Sequence, residues 1–159
     1  LMVGEIRDKE TAEVAIQSAL TGHLILSTMH TNDSATAIAR LQDMGIEDFL
    51  ISSTLIGVLA QRLLRTICSD CKGTGGSTSG SCKECNGTGF RGRTGIFELL
   101  PVSPRIKRLI TDRVDSSRIK AAAIEEGMVT LLEQGEEKIA TGITTREEVL
   151  RVIQEAEDY

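Results

Sequence analysis

Tryptophan is absent from the 159 residues, and the other aromatics amount to three Phe and one Tyr. A core made by this chain must therefore be aliphatic, built from Leu, Ile, Val, Ala and Met, and the 40% apolar content is enough to build one. No apolar stretch approaches the roughly 20 residues that a membrane-spanning helix needs. No signal peptide is recognisable either, so a cytosolic location is expected. Excess positive charge is missing too. Eighteen basic against 23 acidic residues leave a net charge of -5, which argues against a nucleic-acid partner, since that needs a basic face. The basic clusters are short, at Arg91/Arg93 and at Arg105/Lys107/Arg108, and the second reads as solvated surface. A phosphate-cradling loop of the form G-x-x-x-x-G-K-S/T is also absent. Gly73, Gly75, Gly76 and Gly80 lack the Lys-Ser/Thr that would complete it. If the chain serves a nucleotide hydrolase, the cradle is expected upstream of Leu1. The chain opens on Leu rather than Met, inside a strand, and is expected to be a fragment of a longer protein.

What is present begins with a strand, a helix and a strand. Leu1 to Gly4 is apolar and ends at Glu5-Ile6-Arg7-Asp8. Asp8 reads as an N-cap, with Glu10 in the first turn. Ala12, Ala15, Ile16, Ala19 and Leu20 then recur on one helical face, and Gly22 ends the helix. Leu24 to Met29 is apolar enough for a strand buried on both faces of a parallel sheet. In open α/β sheets ligands sit beyond the carboxyl ends of the strands. Glu5 and His30 both fall at such ends, so both are expected to face one ligand. Asn32 or Asp33 caps the next helix, which places Ile38 and Leu41 inward and stops at Gly45. Asp48 begins another helical stretch through Phe49, Ile51, Leu55 and Leu59. Gln61 to Ile67 reads as a strand.

The remainder divides by motif. Residues 72–81 are rich in Gly, Ser and Thr and read as a loop. Thr94 to Val102 reads as a strand, closed by Pro101 and Pro104. Helical spacing follows at Ile106, Leu109 and Ile110, at Ile119 and Ala123, and at Leu131 and Leu132. Thr144-Thr145-Arg146-Glu147-Glu148 is an overlapping capping-box signal, ahead of Val149, Val152, Ile153 and Ala156. The expected organisation is an α/β part over residues 1–67, a cysteine-bearing insert over 68–93, a return strand over 94–102 and a helical part over 103–159.

Four cysteines in a cytosolic chain are poor candidates for a disulfide framework. Cys68-x-x-Cys71 and Cys82-x-x-Cys85 flank a ten-residue loop. Each pair sets two sulfurs on one tight turn, and the loop lets the second turn fold back onto the first. The result is a four-thiolate set of the zinc type. The competing readings are a redox pair and four unrelated thiols. Cys68-Ser-Asp-Cys71-Lys-Gly73-Thr-Gly75 and Cys82-Lys-Glu-Cys85-Asn-Gly87-Thr-Gly89 are near copies, which favours the metal. With four protein ligands the zinc has no open position and is structural.

An acid just past a buried strand is what a nucleotide hydrolase uses to polarise the attacking water or to hold Mg²⁺. Many strands end in Glu, so Glu5 alone carries little. His30 sits where a side chain reaches a phosphate, although a lone histidine is more often structural. His23 and His30 are seven apart, which on one continuous strand puts them on opposite faces and argues against a shared metal.

Taken together, these motifs resemble one family. Gly4-Glu5-Ile6-Arg7-Asp8-x-Glu10-Thr11-Ala12 is similar to the Walker B region of secretion ATPases of the type II secretion and type IV pilus assembly class. Thr21-Gly22-His23-x-x-x-Ser27-Thr28-x-His30-Thr31-Asn32 resembles their histidine box. Gln61-Arg62-Leu63 and Gly89-Phe90-Arg91-Gly92-Arg93-Thr94-Gly95-Ile96-Phe97-Glu98 match as well, so the resemblance covers essentially the whole chain. The tetracysteine insert looks like the secretion or pilus-extension branch, although its loop is short for that family.

The resemblance implies an α/β fold, the C-terminal part of a RecA-like P-loop ATPase domain. It would have an incomplete parallel sheet, a tetracysteine zinc insert and a small C-terminal helical subdomain. It implies a hexameric cytoplasmic ATPase, peripherally associated with the inner membrane through platform proteins. ATP hydrolysis with Mg²⁺ would power protein secretion or pilus assembly, and the fragment alone would be inactive. Glu5 would be the catalytic acid, with Arg7 and Asp8 supporting it. His30 would contact the γ-phosphate region, with His23 behind it. Cys68, Cys71, Cys82 and Cys85 would bind zinc, and Arg91 and Arg93 are candidates for partner contact. The alternative is a zinc-knuckle module that binds unfolded chains, as in Hsp40-type chaperones, but that family uses four such repeats rather than two.

Overall fold

Two aspartates fix where the first helices start. Strand β1 (Met2–Glu5) runs into helix α1 (Lys9–Leu20), and the Asp8 carboxylate accepts from the Thr11 N–H at 2.9 Å. Strand β2 (Leu26–Thr28) leads to helix α2 (Ser34–Asp43), where Asp33 accepts from the Thr36 N–H at 2.8 Å. The Thr36 hydroxyl returns to the Asp33 N–H and closes a capping box. Caps of this kind contribute about 1 kcal/mol each. Of the two cap residues expected, Asp33 is the one used.

The structure, a computed structural model, describes residues 1–77 and 80–154. After α2 come helix α3 (Asp48–Thr54), strand β3 (Gly57–Ile67) and the short strands β4 (Gly76–Ser77) and β5 (Gly80–Ser81). Strand β6 (Phe90–Pro101) follows, then helices α4 (Pro104–Thr111), α5 (Ser116–Glu125), α6 (Leu131–Ala140) and α7 (Arg146–Gln154). Ala156, placed on the last helical face by its spacing, lies outside the described residues.

Helix α3 is shorter than its spacing suggested. It stops at Thr54, and Leu59 belongs to β3. Gly57 and a run of β-compatible residues draw the chain into the strand early. The loop at residues 72–81 contains the β4–β5 hairpin. The capping signal before α7 is half realised. The Thr145 hydroxyl accepts from the Glu148 N–H at 3.2 Å, but the Glu148 carboxylate turns to arginines instead of back to the cap.

The chain divides into two compact units. The first holds Leu1–Ala60 and Leu99–Met128, the second Gln61–Glu98 and the residues from Val129 on. This grouping follows contacts, whereas the four segments read from the sequence follow motifs. It assigns α4 and α5 to the first unit and α6 and α7 to the second. Strand β3 pairs with β6, and the division falls within both strands.

The core of the first unit is aliphatic, as the missing aromatics require. Ala12 and Ile16 of α1 join Ile38 and Leu41 of α2, Ile51 of α3, Ile106 and Ile110 of α4, and Ile119 of α5. Each buried Ile or Leu side chain contributes about 1.5–3 kcal/mol. Strands β1 and β2 pair in parallel, with Met2 opposite Leu26 and Glu5 opposite Thr28.

The expectation of a strand buried on both faces fails here. β2 is three residues long, and Leu24 and Leu26 are 61% and 58% exposed. The apolar residues are present, but among the described residues nothing covers that face. Leu20 and Leu132, read as inward, are also exposed. Each sits next to a position that points elsewhere, because successive helical residues differ by about 100°.

In the second unit Leu64, Ile96, Leu131 and Val149 are buried. Gly135 of α6 lies against Val149 of α7. A Cβ there would come within 2.5 Å of Val149 Cγ1, so the glycine permits the close approach of the two helices.

Candidate functional site

The C-terminal end of the β1–β2 pair gathers the first group. The Ile6 N–H donates to the Thr28 carbonyl at 2.9 Å, and the Thr28 hydroxyl donates to the Gly4 carbonyl at 2.8 Å. These bonds fix the strand ends. Glu5, the last residue of β1, then meets two cationic or potentially cationic groups. Arg7 Nη2 lies 2.7 Å from Glu5 Oε2, and His30 Nε2 lies 3.2 Å from Glu5 Oε1. The Glu5 side chain is 22% exposed, those of Arg7 and His30 74% and 89%. The Arg7 hydrogen bond holds the Glu5 carboxyl below its usual range, with the charges of Arg7 and His30 adding to it against a cost of desolvation. The same contact raises Arg7.

The other expected members lie elsewhere. Asp8 is committed to capping α1, and its carboxyl is lowered by the Thr11 N–H it accepts from. His23 sits at the far end of α1, a 12-residue helix and so about 18 Å long. Its Nδ1 is 3.1 Å from Thr21 Oγ1 and 3.3 Å from the Ser18 carbonyl. Neither histidine lies within β2, so the strand argument about opposite faces does not apply. What separates them is that His23 closes a helix while His30 follows a strand.

The second group is the cysteine cluster. All four sulfurs lie within 4.8 Å of one another. Cys68 and Cys82 are 4.0 Å apart, Cys71 and Cys85 3.7 Å. Tetrahedral zinc–thiolate bonds of about 2.3 Å put sulfurs about 3.8 Å apart, so the donor set fits that ion. None of the four is in a disulfide. Among the described residues this is the one group of three or more His, Cys, Asp or Glu that gathers in this way. Burial raises the Cys85 thiol, but the Gly89 N–H and the neighbouring thiols outweigh it and bring it down to about 7. Although it accepts from the Cys85 N–H, the Cys82 thiol goes the other way, pushed up to about 12 by burial and the neighbouring thiols, so a metal must displace protons to bind here.

The two sequence copies fold as a local two-fold pair. The Cys68 N–H donates to the Gly89 carbonyl at 2.8 Å, and the equivalent Cys82 N–H donates to the Gly75 carbonyl at 2.9 Å. The Thr74 hydroxyl donates to the Cys71 carbonyl at 2.8 Å and the Thr88 hydroxyl to the Cys85 carbonyl at 2.7 Å. The glycines follow the same symmetry. A Cβ on Gly75 would meet the Gly87 carbonyl oxygen at 2.3 Å, and one on Gly89 would meet that of Gly73 at 2.4 Å. Both have positive φ, at +69° and +78°. Only glycine gives the crossing strands room, which explains the repeated C-x-x-C-x-G-x-G pattern.

Arg91 and Arg93, on β6 beside this cluster, are exposed. Arg91 is ion-paired with Glu84, between the cysteines of the second pair.

Sequence reasoning missed one polar centre in the second unit. Glu148 is fully buried. Its Oε1 accepts from the Arg65 N–H at 3.0 Å and from Arg151 Nη2 at 2.7 Å. Its Oε2 accepts from Arg65 Nε and Nη2 at 3.0 and 2.6 Å and from Arg151 Nε at 3.0 Å. The Arg65 guanidinium also lies over the Phe90 ring, 4.4 Å from its centroid. Burial alone would raise the Glu148 carboxyl, but the arginine hydrogen bonds bring it down to about 2. The available signal was thin: β3 carries two arginines, Arg62 and Arg65, and its pattern does not single out the one that meets a buried acid.

The family model described as type II/IV secretion system protein matches residues 1–151. Type II secretion system protein HxcR of Pseudomonas aeruginosa is 49% identical over 158 residues, covering 98% of this chain and 34% of that protein. Type II secretion system ATPase E of Vibrio cholerae is 44% identical, with 98% and 35% covered. Type IV pilus assembly ATPase TfpB of Acinetobacter baylyi is 40% identical, with 96% and 30% covered. The chain thus spans about a third of the length of the curated relatives it matches. Among solved structures, the pilus retraction motor PilT with bound ADP matches with a TM-score of 0.71 at 27% identity, covering 95% of this chain and 38% of that one. The ATPase DotB of Yersinia pseudotuberculosis shares the fold, with a TM-score of 0.69 at 21% identity and coverage of 96% and 36%. The RecA-like α/β fold expected from the sequence is the one these structures have in common with the chain.

Proposed function

The chain belongs to the type II/IV secretion system protein family, and from that premise we propose that it is the C-terminal part of an ATPase that powers protein secretion or type IV pilus assembly. The observation that carries this reading is the meeting of Glu5 and His30 at 3.2 Å beyond the carboxyl ends of two parallel strands. Ligands bind at that place in α/β sheets.

In this reading Glu5 orients the water that attacks the γ-phosphate. His30 faces the same phosphate. Arg7 sets the orientation of Glu5. Asp8 acts by anchoring the turn between β1 and α1, and His23 by closing α1 ahead of β2. ATP and Mg²⁺ bind in the intact protein, where residues beyond this chain supply the phosphate cradle, so this chain alone does not turn over ATP. Mg²⁺ there neutralises charge on the phosphates.

Cys68, Cys71, Cys82 and Cys85 hold one structural zinc, which ties down a segment too small to build its own core. The four segments, over residues 1–67, 68–93, 94–102 and 103–159, serve as ATPase core, zinc insert, return strand and helical subdomain. The working assembly is a cytoplasmic hexamer docked on inner-membrane platform proteins. Arg91 and Arg93, exposed beside the zinc segment, are its candidate contacts to that platform.

The test is Glu5→Gln in the intact protein. A loss of turnover with nucleotide affinity retained is expected. If turnover survives that substitution, the role given to Glu5 is wrong.

A further inference from the structure

Each oxygen of the Glu5 carboxylate carries a contact that fixes its direction. Oε2 is held by Arg7 at 2.7 Å and Oε1 by His30 at 3.2 Å. A carboxylate that is to orient a water must present an oxygen to it, in hydrogen-bond reach and suitably aimed. The arrangement of residues 5–8 also separates backbone from side chain. The Asp8 cap anchors the turn to α1 at the Thr11 N–H, whereas the Arg7 side chain is 74% exposed and long enough to swing. An exposed arginine–carboxylate pair is weak, and a phosphate competes well for the same guanidinium fork.

We propose that Arg7 is a positioning residue that restrains Glu5 in a clasp with His30, and that a nucleotide's terminal phosphate opens the clasp by drawing the Arg7 guanidinium to itself. Hydrolysis then waits on the correct occupancy of the site, and empty or wrongly filled sites keep Glu5 turned away from water. The proposal rests on the catalytic role of Glu5 given above.

The experiment measures kcat and KM for ATP in the intact protein, without any platform partner, for the parent, Arg7→Ala, Arg7→Lys and Glu5→Gln. The clasp and the phosphate compete for Arg7, so part of the ATP-filled sites stay clasped. An exposed pair of this kind is worth up to roughly fivefold in an equilibrium constant, and Arg7→Ala, which frees those sites, is expected to raise basal kcat roughly two- to fivefold. KM rises as well, because the phosphate loses a ligand. Arg7→Lys, which keeps the charge but not the fork, falls between the two and serves in place of Arg7→Ala should that variant fail to fold. An unchanged or lower kcat in the folded Arg7 variants overturns the clasp, and a tenfold fall would make Arg7 a direct participant instead. Retained turnover in Glu5→Gln would sink the underlying reading instead, so the two failures are told apart by separate variants.

Discussion

The buried Glu148 carboxylate offers the sharpest quantitative test of how the second unit holds together. Replacing it with Gln keeps the shape and removes the charge. One oxygen remains to accept from Arg65 or Arg151, but the new amide group meets guanidinium donors with no acceptor among them. A tenfold change in proton affinity is worth about 1.4 kcal/mol. A carboxyl brought from its ordinary 4.5 to about 2 therefore contributes about 3 kcal/mol to stability in neutral solution. Removing one partner of a buried ion pair costs a similar amount, about 3–5 kcal/mol. Arg65 and Arg151 are 45% and 42% exposed and can rehydrate, which favours the lower end.

The sign with pH follows from the depressed pKa. The contribution is complete above the unfolded value near 4.5 and is lost as pH falls through the folded value of about 2. Urea unfolding of the parent and Glu148→Gln across pH 7 to 2 measures it directly. The expected difference is about 3 kcal/mol at pH 7, shrinking towards zero between pH 4.5 and 2. A difference below about 1 kcal/mol at pH 7 would place the pair among the surface bridges and refute the reasoning. So would two curves that stay parallel down to pH 2.

Three further outcomes are expected. Elemental analysis should find one zinc per chain, and chelation or Cys68→Ser should expose the amides of residues 68–89 to hydrogen exchange; intact protection without metal would remove zinc from the account. Gly135→Ala should destabilise by about 1–3 kcal/mol through overpacking, although alanine is the better helix former, because its Cβ would stand 2.5 Å from Val149 Cγ1; a gain in melting temperature would show that α6 and α7 can move apart. The exposed Met2 and Leu26 on the β1–β2 pair, with Leu24 just ahead of β2, should make the isolated chain self-associate, and a stable monomer in sedimentation would contradict that.

Local signals were legible in the sequence where one residue acts on its own neighbours. Asp8 and Asp33 cap the helices they precede, and the aliphatic spacing of α1, α2 and α4 matches their buried faces, Leu20 at the end of α1 excepted. The paired C-x-x-C motifs were legible for the same reason, since each turn carries its own two sulfurs. What the sequence could not carry were relations at long range. Glu148 and Arg65 are 83 positions apart, and at the sequence level Glu148 reads equally well as a capping-box acid. Once folded, its carboxylate chooses two guanidinium groups over one backbone N–H, because charge-assisted bonds in a buried place are the stronger option.

The same competition explains β2. The run from Leu24 to Leu26 is apolar at successive positions, which is a statement about the neighbours such a segment requires rather than about the neighbours it has. Leu24 and Leu26 stay exposed because among the described residues no segment packs over them. Glu5, Arg7 and His30 meet without that cover, through the β1–β2 bonds alone. The Glu5 end of the pair is thus defined locally, and the sheet around it is not.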